Sequence, residues 1–459
     1  MAIDNNMDTV LKKIVRFENA YIDRYIELAD EIAKKHNVEL LIVGGAPREL
    51  FLNKSPKDID FIVVKGDAIE VPMELHRSAG FFYPVSFEKF GNFRTGIHND
   101  YNIQMEFVPI RAKNIIDDLL LRDFTINTLI MKRMNSFSYE ISDLLGKAFL
   151  ALENKILQTP VDPVQTIKDD PLRILRAIRF SCMLEFDMEQ SLQDTIRSNV
   201  SLINGVAVER IREELFMIMN SQKPSKGIQL MNELGILDVL MPEIKVTVGF
   251  DQRSPYHKDE LFIHSLEVMD KTKPNISTRL AALFHDVGKP LSKHEQGKKV
   301  TYYGHQDKSL ELFEAFARRL KIPYSIAATA GLLIKRHMIN YTSDWKDSTV
   351  KKFIKTNYDI LDKLLDLHRA DASSLADQDY MLNGVNEFES RIHEQKLDEV
   401  GRLESPLDGN EIQKLLNIPP GPEIGEIKKA VVDAILEGTI EPTKPSAEAF
   451  IKEVYAASK

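Results

Sequence analysis

The sequence predicts a multidomain α+β protein, with an α/β head built on a mixed sheet, an all-α neck and body, a second all-α domain and a helical tail. Two short apolar runs, Leu40–Val43 and Phe61–Val64, have the length and composition of buried strands. Farther along the chain apolar residues recur at helical spacing, as in Pro224–Leu237. At 459 residues the chain has room for about three domains of ordinary size. We divide the chain into four predicted segments, at residues 1–148, 149–245, 246–375 and 376–459.

The composition excludes several classes of protein. A single cysteine, Cys182, cannot form a disulfide framework and is typical of a reducing compartment. Met1–Val10 contains no apolar signal segment, and no apolar run approaches the roughly 18 residues of a membrane span. We therefore expect a cytoplasmic protein with no membrane association. The net charge of −9 neither indicates nor excludes nucleic acid, because any such contact would use local Lys and Arg clusters.

The head begins with a segment suited to phosphate. Residues 8–37 show helix-like periodicity and lead into the first strand. Gly44 and Gly45 follow that strand, and their lack of side chains lets backbone N–H groups approach a ligand. Pro47 suits the first position of a helix that would carry Arg48. A helix N-terminus beside two glycines and an arginine favours phosphate, although a Gly-Gly pair alone is more often an ordinary bend.

Carboxylates follow on the next strands. Asp58 and Asp60 are two residues apart, so both side chains leave the same face of the second strand. Glu106, on a third strand predicted at Asn102–Pro109, would project beside them or remain a solvated strand residue. Such close carboxylates repel one another unless cations lie between them, and Mg²⁺ is the usual cation. Paired metals about 3.5–4 Å apart can activate an attacking hydroxyl and stabilise a leaving pyrophosphate, whereas Asp58 alone could simply cap a turn. Between these strands, Phe87–Gly96 is predicted to be a mobile loop, because Gly and Asn interrupt it.

These motifs resemble those of a known family. GGAPRE at 44–49, KDIDF at 57–61 and DDLLLRDFTINTL at 117–129 are similar to the head motifs of class II nucleotidyltransferases, the bacterial-type CCA-adding enzymes and poly(A) polymerases. The resemblance implies a polymerase-β-like nucleotidyltransferase head of five-stranded type that uses Mg²⁺.

The third motif implies further nucleotide-binding residues. The resemblance assigns Arg122, Asp123 and Asn127 to the surroundings of the sugar and triphosphate of a bound nucleotide. Taken alone, Asp123–Asn127 would be a turn and helix cap. The chain departs from the family pattern at Pro47, Glu49 and Leu121.

A later stretch, DDPLRILRAIRF at 169–180, resembles the Glu-Asp-x-x-Arg motif and the following Arg-x-x-Arg-Phe helix of the same family. By position, Asp170 and Arg173 would bind the incoming base, and Arg176 and Arg179 would brace the pocket or the triphosphate. A carboxylate only accepts hydrogen bonds and a guanidinium only donates them, which suits the amine and ring nitrogen of C or A and opposes U and G. The alternative is that Asp170 caps a helix beginning near Pro171.

A second constellation lies at residues 255–371. Its residues occur in the order His, His-Asp, His, His, Asp, which resembles the HD phosphohydrolase superfamily. Imidazole and carboxylate groups of this kind bind divalent metal such as Mg²⁺, Mn²⁺ or Ni²⁺ and activate water on a phosphate ester. HSLEVMD and LAALFHDVGKP both read as helices, and Lys289 and Arg369 could hold a phosphate. The resemblance gives His264, His285, Asp286 and Asp371 as ligands, and His305 and His337 as ligands of a second metal or as structural residues.

Together these features imply the template-independent addition of CCA to the 3′ end of tRNA from CTP and ATP, with phosphohydrolase activity on phosphate ends. The body and the following segment would bind the acceptor stem. Three alternatives remain: a poly(A) polymerase, an enzyme that adds only CC or only A, and an HD phosphohydrolase with a non-catalytic RNA-binding head.

Overall fold

The structure of the chain is a computed structural model that describes residues 10–87, 92–97, 103–253, 260–296 and 299–455. The chain folds as two compact units. The first unit runs to Ile218 and includes Glu233–Val239, and the second unit consists of Met219–Asn232 and the chain from Leu240 onward. The finer division into four segments stays a prediction.

The elements follow one another in three stretches. The first stretch contains β1 Leu11–Arg16, α1 Ala20–Lys35, β2 Glu39–Val43, α2 Gly45–Phe51, β3 Asp58–Lys65, α3 Glu70–Ala79, β4 Val85–Phe87, β5 Asn92–Ile97, β6 Ile103–Pro109, α4 Ile115–Leu120, β7 Ile130–Asn135 and β8 Ser138–Asp143. The next contains α5 Ala148–Glu153, β9 Ile156–Leu157, α6 Pro163–Asp169, α7 Arg173–Leu184, β10 Asp187–Met188, α8 Gln190–Asn199, α9 Val208–Met219, α10 Pro224–Glu233, α11 Ile236–Leu240 and α12 Pro242–Lys245. The last contains α13 Leu261–Lys271, α14 Ile276–Phe284, β11 His294–Gln296, β12 Lys299–Thr301, α15 His305–Arg319, α16 Tyr324–Arg336, α17 Asp347–Asn357, α18 Leu361–Ala372, α19 Gln378–Glu394, α20 Leu397–Gly401, α21 Gly409–Leu416, α22 Pro422–Leu436 and α23 Lys444–Tyr455.

A mixed sheet organises the first unit. Its strands lie in the order β1-β8-β7-β2-β3-β6-β5-β4, and neighbours are antiparallel except β3 and β6, which are parallel. The predicted fold class, an α/β head with a mixed sheet followed by largely helical regions, is confirmed. The five-stranded type is wrong, because β1 pairs with β8 at one edge and the β4–β5 hairpin extends the other edge, giving eight strands in the described residues.

The helix-like periodicity of residues 8–37 does not correspond to one helix in the described part, residues 10–37. Among the described ones, Leu11–Arg16 form β1, and α1 begins only at Ala20, where the Asn19 side chain accepts hydrogen bonds from the Tyr21 and Ile22 amides. The sequence of β1, Leu-Lys-Lys-Ile-Val-Arg, does not by itself distinguish an edge strand from a helix, and pairing with β8 decides between them.

The predicted loop at Phe87–Gly96 is also wrong where it is described. β4 ends at Phe87 and β5 begins at Asn92, while residues 88–91 lie outside the described ranges. Gly96 belongs to β5, and a Cβ on it would lie 3.0 Å from the Ile103 carbonyl oxygen. This glycine therefore permits a close approach of neighbouring strands.

A buried carboxylate on α1 forms hydrogen bonds with β7, with β8 and with the turn between them. Asp23, 4% exposed, accepts hydrogen bonds from Arg133 Nε at 3.1 Å and Nη2 at 3.0 Å, from the Phe137 amide at 3.2 Å and from the Tyr139 hydroxyl at 2.6 Å. Burial alone would raise the pKa of Asp23, but the bonds from Arg133, Tyr139 and Phe137 hold it below its usual value.

We expect Asp23→Asn to lower the free energy of unfolding of the first unit by about 2–4 kcal/mol, because Arg133 loses its buried counter-charge. The folded pKa of Asp23 lies below the unfolded value, so its contribution is full above about pH 4 and is lost as pH falls through the lowered pKa. Urea unfolding followed by far-UV circular dichroism measures the loss. Fluorescence of Trp345, the one tryptophan of the sequence, reports the second unit and should not change.

The matched control is Glu140→Gln, which breaks an exposed pair with Lys12 at 3.0 Å and should cost under about 1 kcal/mol. Equal destabilisation by the two substitutions would contradict the role given to Asp23.

The second unit is mainly helical. Helices α13, α14, α15, α16 and α18 pack around one another, and the only departures from the all-α prediction in the described part of this unit are the short strands of the β11–β12 hairpin. Trp345 and Phe388 belong to a second apolar cluster, and α21, α22 and α23 share a third. Over the described ranges, no helix combines the length and the apolar character needed to cross a bilayer.

Candidate nucleotide cleft and metal centre

The first unit contains a polar cleft of about 500 Å³. Most of the predicted catalytic and nucleotide-binding residues line it: Gly44, Gly45, Arg48, Asp58, Asp60, Arg122, Asp123, Asn127, Arg176 and Arg179. Glu49, Ser55, Lys57 and Phe180 complete the lining and lie outside the predicted set. Three of these four directly adjoin a predicted residue in sequence, which is the signal that could have found them.

The turn between β2 and α2 forms one wall. Gly44 has a φ of 75°, which favours glycine, and a Cβ on it would lie 2.9 Å from Asp60 Oδ2. Helix α2 begins at Gly45, two residues before Pro47, and carries the buried Arg48. The Arg48 guanidinium donates a hydrogen bond to the Asn127 side chain. Bare backbone and an arginine therefore face the carboxylates across this wall.

The carboxylates lie on neighbouring strands. Asp58 and Asp60 are both on β3, and Asp60 is in register with Glu106 on the parallel strand β6. Arg94 and Asn92 donate hydrogen bonds to Glu106, at 3.1 and 3.4 Å. Burial, the Glu106 charge and the Asp58 charge raise the pKa of Asp60 to about 6. These carboxylates lie close together and repel one another, so their oxygen atoms are suited to bind a hard divalent cation such as Mg²⁺.

A buried aspartate links the turn after α4 to α7. Asp123 accepts hydrogen bonds from Asn127 Nδ2 at 2.9 Å, from the Phe124 amide at 2.8 Å and from Arg176 Nε at 2.8 Å. Burial would raise the pKa of Asp123, but Arg176 and these bonds hold it below the usual value. Arg176 is therefore fixed at the cleft by a charged partner.

Arg179, one turn farther along α7, has a different charged partner. Arg179 Nε lies 2.7 Å from Glu214 Oε2, and the Arg179 guanidinium packs 4.5 Å from the centre of the Phe180 ring. Arg48 packs 5.1 Å from the centre of the same ring. Phe180 thus offers its ring to two guanidinium groups, and burial together with the nearby charge of Arg179 lowers the pKa of Arg48.

The predicted base-binding pair lies outside this lining. Asp170 follows the end of α6 and accepts hydrogen bonds from Arg210 at 2.8 and 3.3 Å. Arg173, the first residue of α7, donates to the Leu121 carbonyl at 2.5 Å and to the Thr166 carbonyl at 3.1 Å. Asp170 also behaves as the alternative predicts: its Oδ1 accepts a hydrogen bond from the Leu172 amide at 3.2 Å and so caps the turn that leads into α7, although the helix proper begins only at Arg173.

The six candidate metal ligands of the second unit meet in one place. His264 is on α13, His305 begins α15, His337 follows α16 and Asp371 is on α18. The expectation that His285 and Asp286 lie on a helix is wrong, because α14 ends at Phe284 and both residues occupy the turn after it. Gly288 in that turn lets α15 approach, since a Cβ there would clash with the His305 carbonyl oxygen.

Asp286 lies between two groups of ligands. Its Oδ2 is 3.2 Å from His285 Nε2 and 3.9 Å from His264 Nε2, while its Oδ1 is 3.0 Å from His305 Nε2 and 3.6 Å from His337 Nε2. Asp371 Oδ1 lies 3.1 Å from His264 Nε2. Each group can converge on one cation, with Asp286 shared between them.

The histidine rings are oriented for this role. Nδ1 of His285, His305 and His337 lies 2.8 Å from the backbone carbonyl three residues earlier in each case. A proton on Nδ1 leaves the Nε2 lone pair directed at the centre, as in metal-bound histidines. Burial would lower the pKa of His285, but Asp286 and Asp371 raise it to about 8. Imidazole and carboxylate donors of this kind fit a divalent transition metal.

The two residues predicted to hold a phosphate differ in where they lie relative to the metal centre. Lys289 is buried, with Nζ 2.6 Å from Asp286 Oδ2 and 2.8 Å from Gln252 Oε1, and it lines the cavity of the centre. Arg369 instead pairs with Glu389 at 2.5 Å and Asn386 at 2.9 Å on α19. Tyr303 and His368 also line the cavity and were not predicted. His368 lies one turn before Asp371, a spacing that could have identified it.

Three protein families match the chain. A model described as the poly A polymerase head domain matches residues 40–158, and one described as a probable RNA and SrmB-binding site of polymerase A matches residues 185–247. A model of the HD domain matches residues 261–376.

Curated and solved relatives agree with these matches. An A-adding tRNA nucleotidyltransferase of Deinococcus radiodurans is 29% identical, over 76% of this chain and 81% of its own length. A CC-adding tRNA nucleotidyltransferase of Thermus thermophilus is 27% identical, over 89% of this chain and 92% of its own. The crystal structure of the Bacillus stearothermophilus CCA-adding enzyme in complex with CTP has a TM-score of 0.69, at 18% identity, over 96% of this chain and 99% of its own. The chain therefore belongs to the class II CCA-adding and poly(A) polymerase family of nucleotidyltransferases, in a form that carries an HD domain.

Proposed function

We propose that this chain adds CCA to the 3′ end of tRNA, using CTP and ATP and no template strand. The observation that carries the proposal is the cleft of the first unit, where Asp58 and Asp60 share a strand beside Gly44, Gly45 and Arg48. The names of the relatives, which include A-adding, CC-adding and CCA-adding enzymes, support tRNA as the acceptor.

In the proposed reaction, the 3′-hydroxyl oxygen of the tRNA attacks the α-phosphorus of CTP or ATP. The new O–P bond forms as the bond from that phosphorus to the bridging oxygen breaks, and pyrophosphate leaves. Arg48, Arg122 and the amides of the Gly44–Gly45 turn donate hydrogen bonds to the leaving pyrophosphate and stabilise its negative charge. Asp58 and Asp60 would hold Mg²⁺, which would lower the pKa of the attacking 3′-hydroxyl so that its proton passes to water.

Base selection falls to Asp170 and Arg173. An exocyclic amine of C or A replaces the guanidinium of Arg210 at Asp170, and a ring nitrogen accepts from Arg173. U and G would place a carbonyl against the carboxylate and a ring N–H against the guanidinium. Both mismatches leave hydrogen-bonding groups of the base and of the site unpaired. The energetic cost of such unpaired groups is how a hydrogen-bonding site rejects a wrong substrate.

We expect Asp170→Ala to reduce the preference for CTP over UTP roughly 10- to 100-fold, because one discriminating hydrogen bond and one repulsion are removed. Single-turnover incorporation of each labelled nucleotide measures the preference. Asp194→Ala, an exposed aspartate on α8 paired with Arg197, is the control and should leave it unchanged. Unaltered selectivity in Asp170→Ala would contradict the assignment.

The whole proposal is tested on tRNA transcripts that end at the discriminator base, at C and at CC. Each is incubated with protein, Mg²⁺ and single or paired labelled nucleotides, and the products are separated on a sequencing gel. We expect extension to CCA with CTP and ATP together, and none with GTP or UTP.

Other products would select among the alternatives. A stop at CC or a lone A would make this chain a partial enzyme like its Thermus or Deinococcus relative. A long A ladder would indicate a poly(A) polymerase, and no extension at all would leave the head as an RNA-binding module.

For the second unit we propose hydrolysis of phosphate ends, such as a terminal or a 2′,3′-cyclic phosphate on RNA. The observation that favours it is Asp286 between two groups of buried ligands, next to Lys289 in the same cavity. The oxygen of a water bonds to phosphorus as the ester P–O bond breaks, and the leaving oxygen takes up a proton. A divalent metal held by these ligands would supply a nucleophilic hydroxide near neutral pH.

A further inference from the structure

The lining of the metal-centre cavity is of two chemical kinds. The cavity measures about 780 Å³, and part of its wall is charged, with Asp286, Lys289 and Asp371. Another part is apolar, with Met338 and Met381. Hydrolysis of a phosphate group requires only the first kind of wall. The volume of the cavity lies in the range of pockets that bind whole small molecules. Together with the apolar wall, it indicates a substrate with a large apolar group.

Tyr303 is the aromatic residue best placed to meet that group. It lines the cavity, yet the residue is 84% exposed, so the ring stands at the mouth. Within the described ranges, no other ring or cation packs against it. An exposed ring that lines a cavity offers one face to whatever enters.

The backbone on both sides of Tyr303 is held firmly. The Tyr302 hydroxyl donates to the Gln252 carbonyl at 2.6 Å, and the Tyr302 carbonyl lies 2.8 Å from His305 Nδ1. Gly304, with a φ of 74°, turns the chain directly into α15, where His305 is the first residue. The backbone that carries the ring is therefore anchored two residues from a candidate metal ligand.

We propose that Tyr303 is a specificity-determining residue that stacks on the base of a nucleoside phosphate while the phosphate lies at the metal centre. The inference rests on the proposed phosphohydrolase function. Stacking suits any of the four bases, because each has a π-face, so the terminal nucleotide of an RNA of any sequence qualifies. The amides of Gln306 and Asn340 also line the cavity and can hydrogen-bond to ribose or to a base edge.

The test compares two substrates with the same reactive group, adenosine 2′,3′-cyclic phosphate and methyl riboside 2,3-cyclic phosphate, which has no base. With the full chain and Mn²⁺, we expect wild type to prefer the nucleoside at least tenfold in kcat/KM. Tyr303→Ala should lower kcat/KM for the nucleoside roughly 5- to 100-fold, through KM, and leave the base-free substrate unchanged. Tyr303→Phe keeps the ring and should restore the preference.

The matched control is Tyr324→Ala. Tyr324 is 87% exposed, belongs to the same unit and lines a different groove, between α15 and α16. It should behave as wild type. An equal loss on both substrates in Tyr303→Ala, or no loss, would overturn the inference, and so would a wild type without preference for the nucleoside.

Failure of the proposed activity is separable from failure of this inference. A wild type that hydrolyses neither substrate refutes the phosphohydrolase function. Calorimetric binding of adenosine 3′-monophosphate with Mn²⁺ then decides the role of Tyr303, in an Asp58→Ala background that impairs the cleft of the first unit. Weaker binding in Tyr303→Ala than in Tyr324→Ala supports stacking, and equal binding overturns it.

Discussion

Replacing Asp58 with alanine is expected to lower the rate of nucleotide addition on the order of 10³-fold or more, while the fold survives. Asp58 is an exposed residue at the start of β3, so its removal leaves the core intact. What is lost is one of two carboxylates on the same strand face that would hold Mg²⁺ at the reacting phosphate. Single-turnover addition of CTP to a tRNA transcript measures the loss.

Asp67→Ala is the matched control, because Asp67 is an exposed aspartate of the same unit outside the cleft. It should retain the wild-type rate, and circular dichroism should show both variants folded. An Asp58→Ala enzyme that kept a tenth or more of its activity would remove the catalytic role given to this carboxylate.

The second large effect is expected in the other unit. Asp286→Asn removes the carboxylate that contacts both groups of histidines, so both candidate metal positions should weaken together. We expect metal content after dialysis to fall, and phosphate release from 3′-phosphorylated RNA to fall on the order of 10³-fold. Addition of CTP and ATP should continue at the wild-type rate.

Asp58→Ala supplies the reciprocal control, since it should stop addition and leave phosphate release intact. Trp345 fluorescence shows whether the second unit remains folded in Asp286→Asn. A variant that binds metal normally, or one that loses both activities although it is folded, would contradict the assignment of hydrolysis to Asp286.

The sequence was most informative where local pattern and chemistry coincide. Leu40–Val43 and Phe61–Val64 are apolar runs that need no partner to be recognised, and they lie within β2 and β3. The two-residue spacing placed Asp58 and Asp60 on the same strand face. β1 and Gly96 were mistaken because strand identity there comes from pairing with β8 and β6, which local propensity does not contain.

The contacts that each side chain makes in the folded chain could not be predicted from the sequence pattern. The tight turn around His285 and Gly288 depends on how closely α15 approaches, and Arg369 is engaged by Glu389 from a helix twenty residues away in sequence. Tyr303 has no motif of its own and is noticeable only once the cavity beside it exists. Such features arise from tertiary contact rather than from spacing along the chain.

One contact of the base-binding segment bears on how this family can vary in sequence. Arg173 is held by the main-chain carbonyls of Leu121 and Thr166, and Leu121 itself is 47% exposed. Every amino acid at position 121 supplies the same carbonyl, so the arginine-to-leucine difference from the family pattern leaves this anchor untouched. A substitution at position 121 therefore changes a side chain at the surface, while the backbone carbonyl that holds Arg173 stays in place.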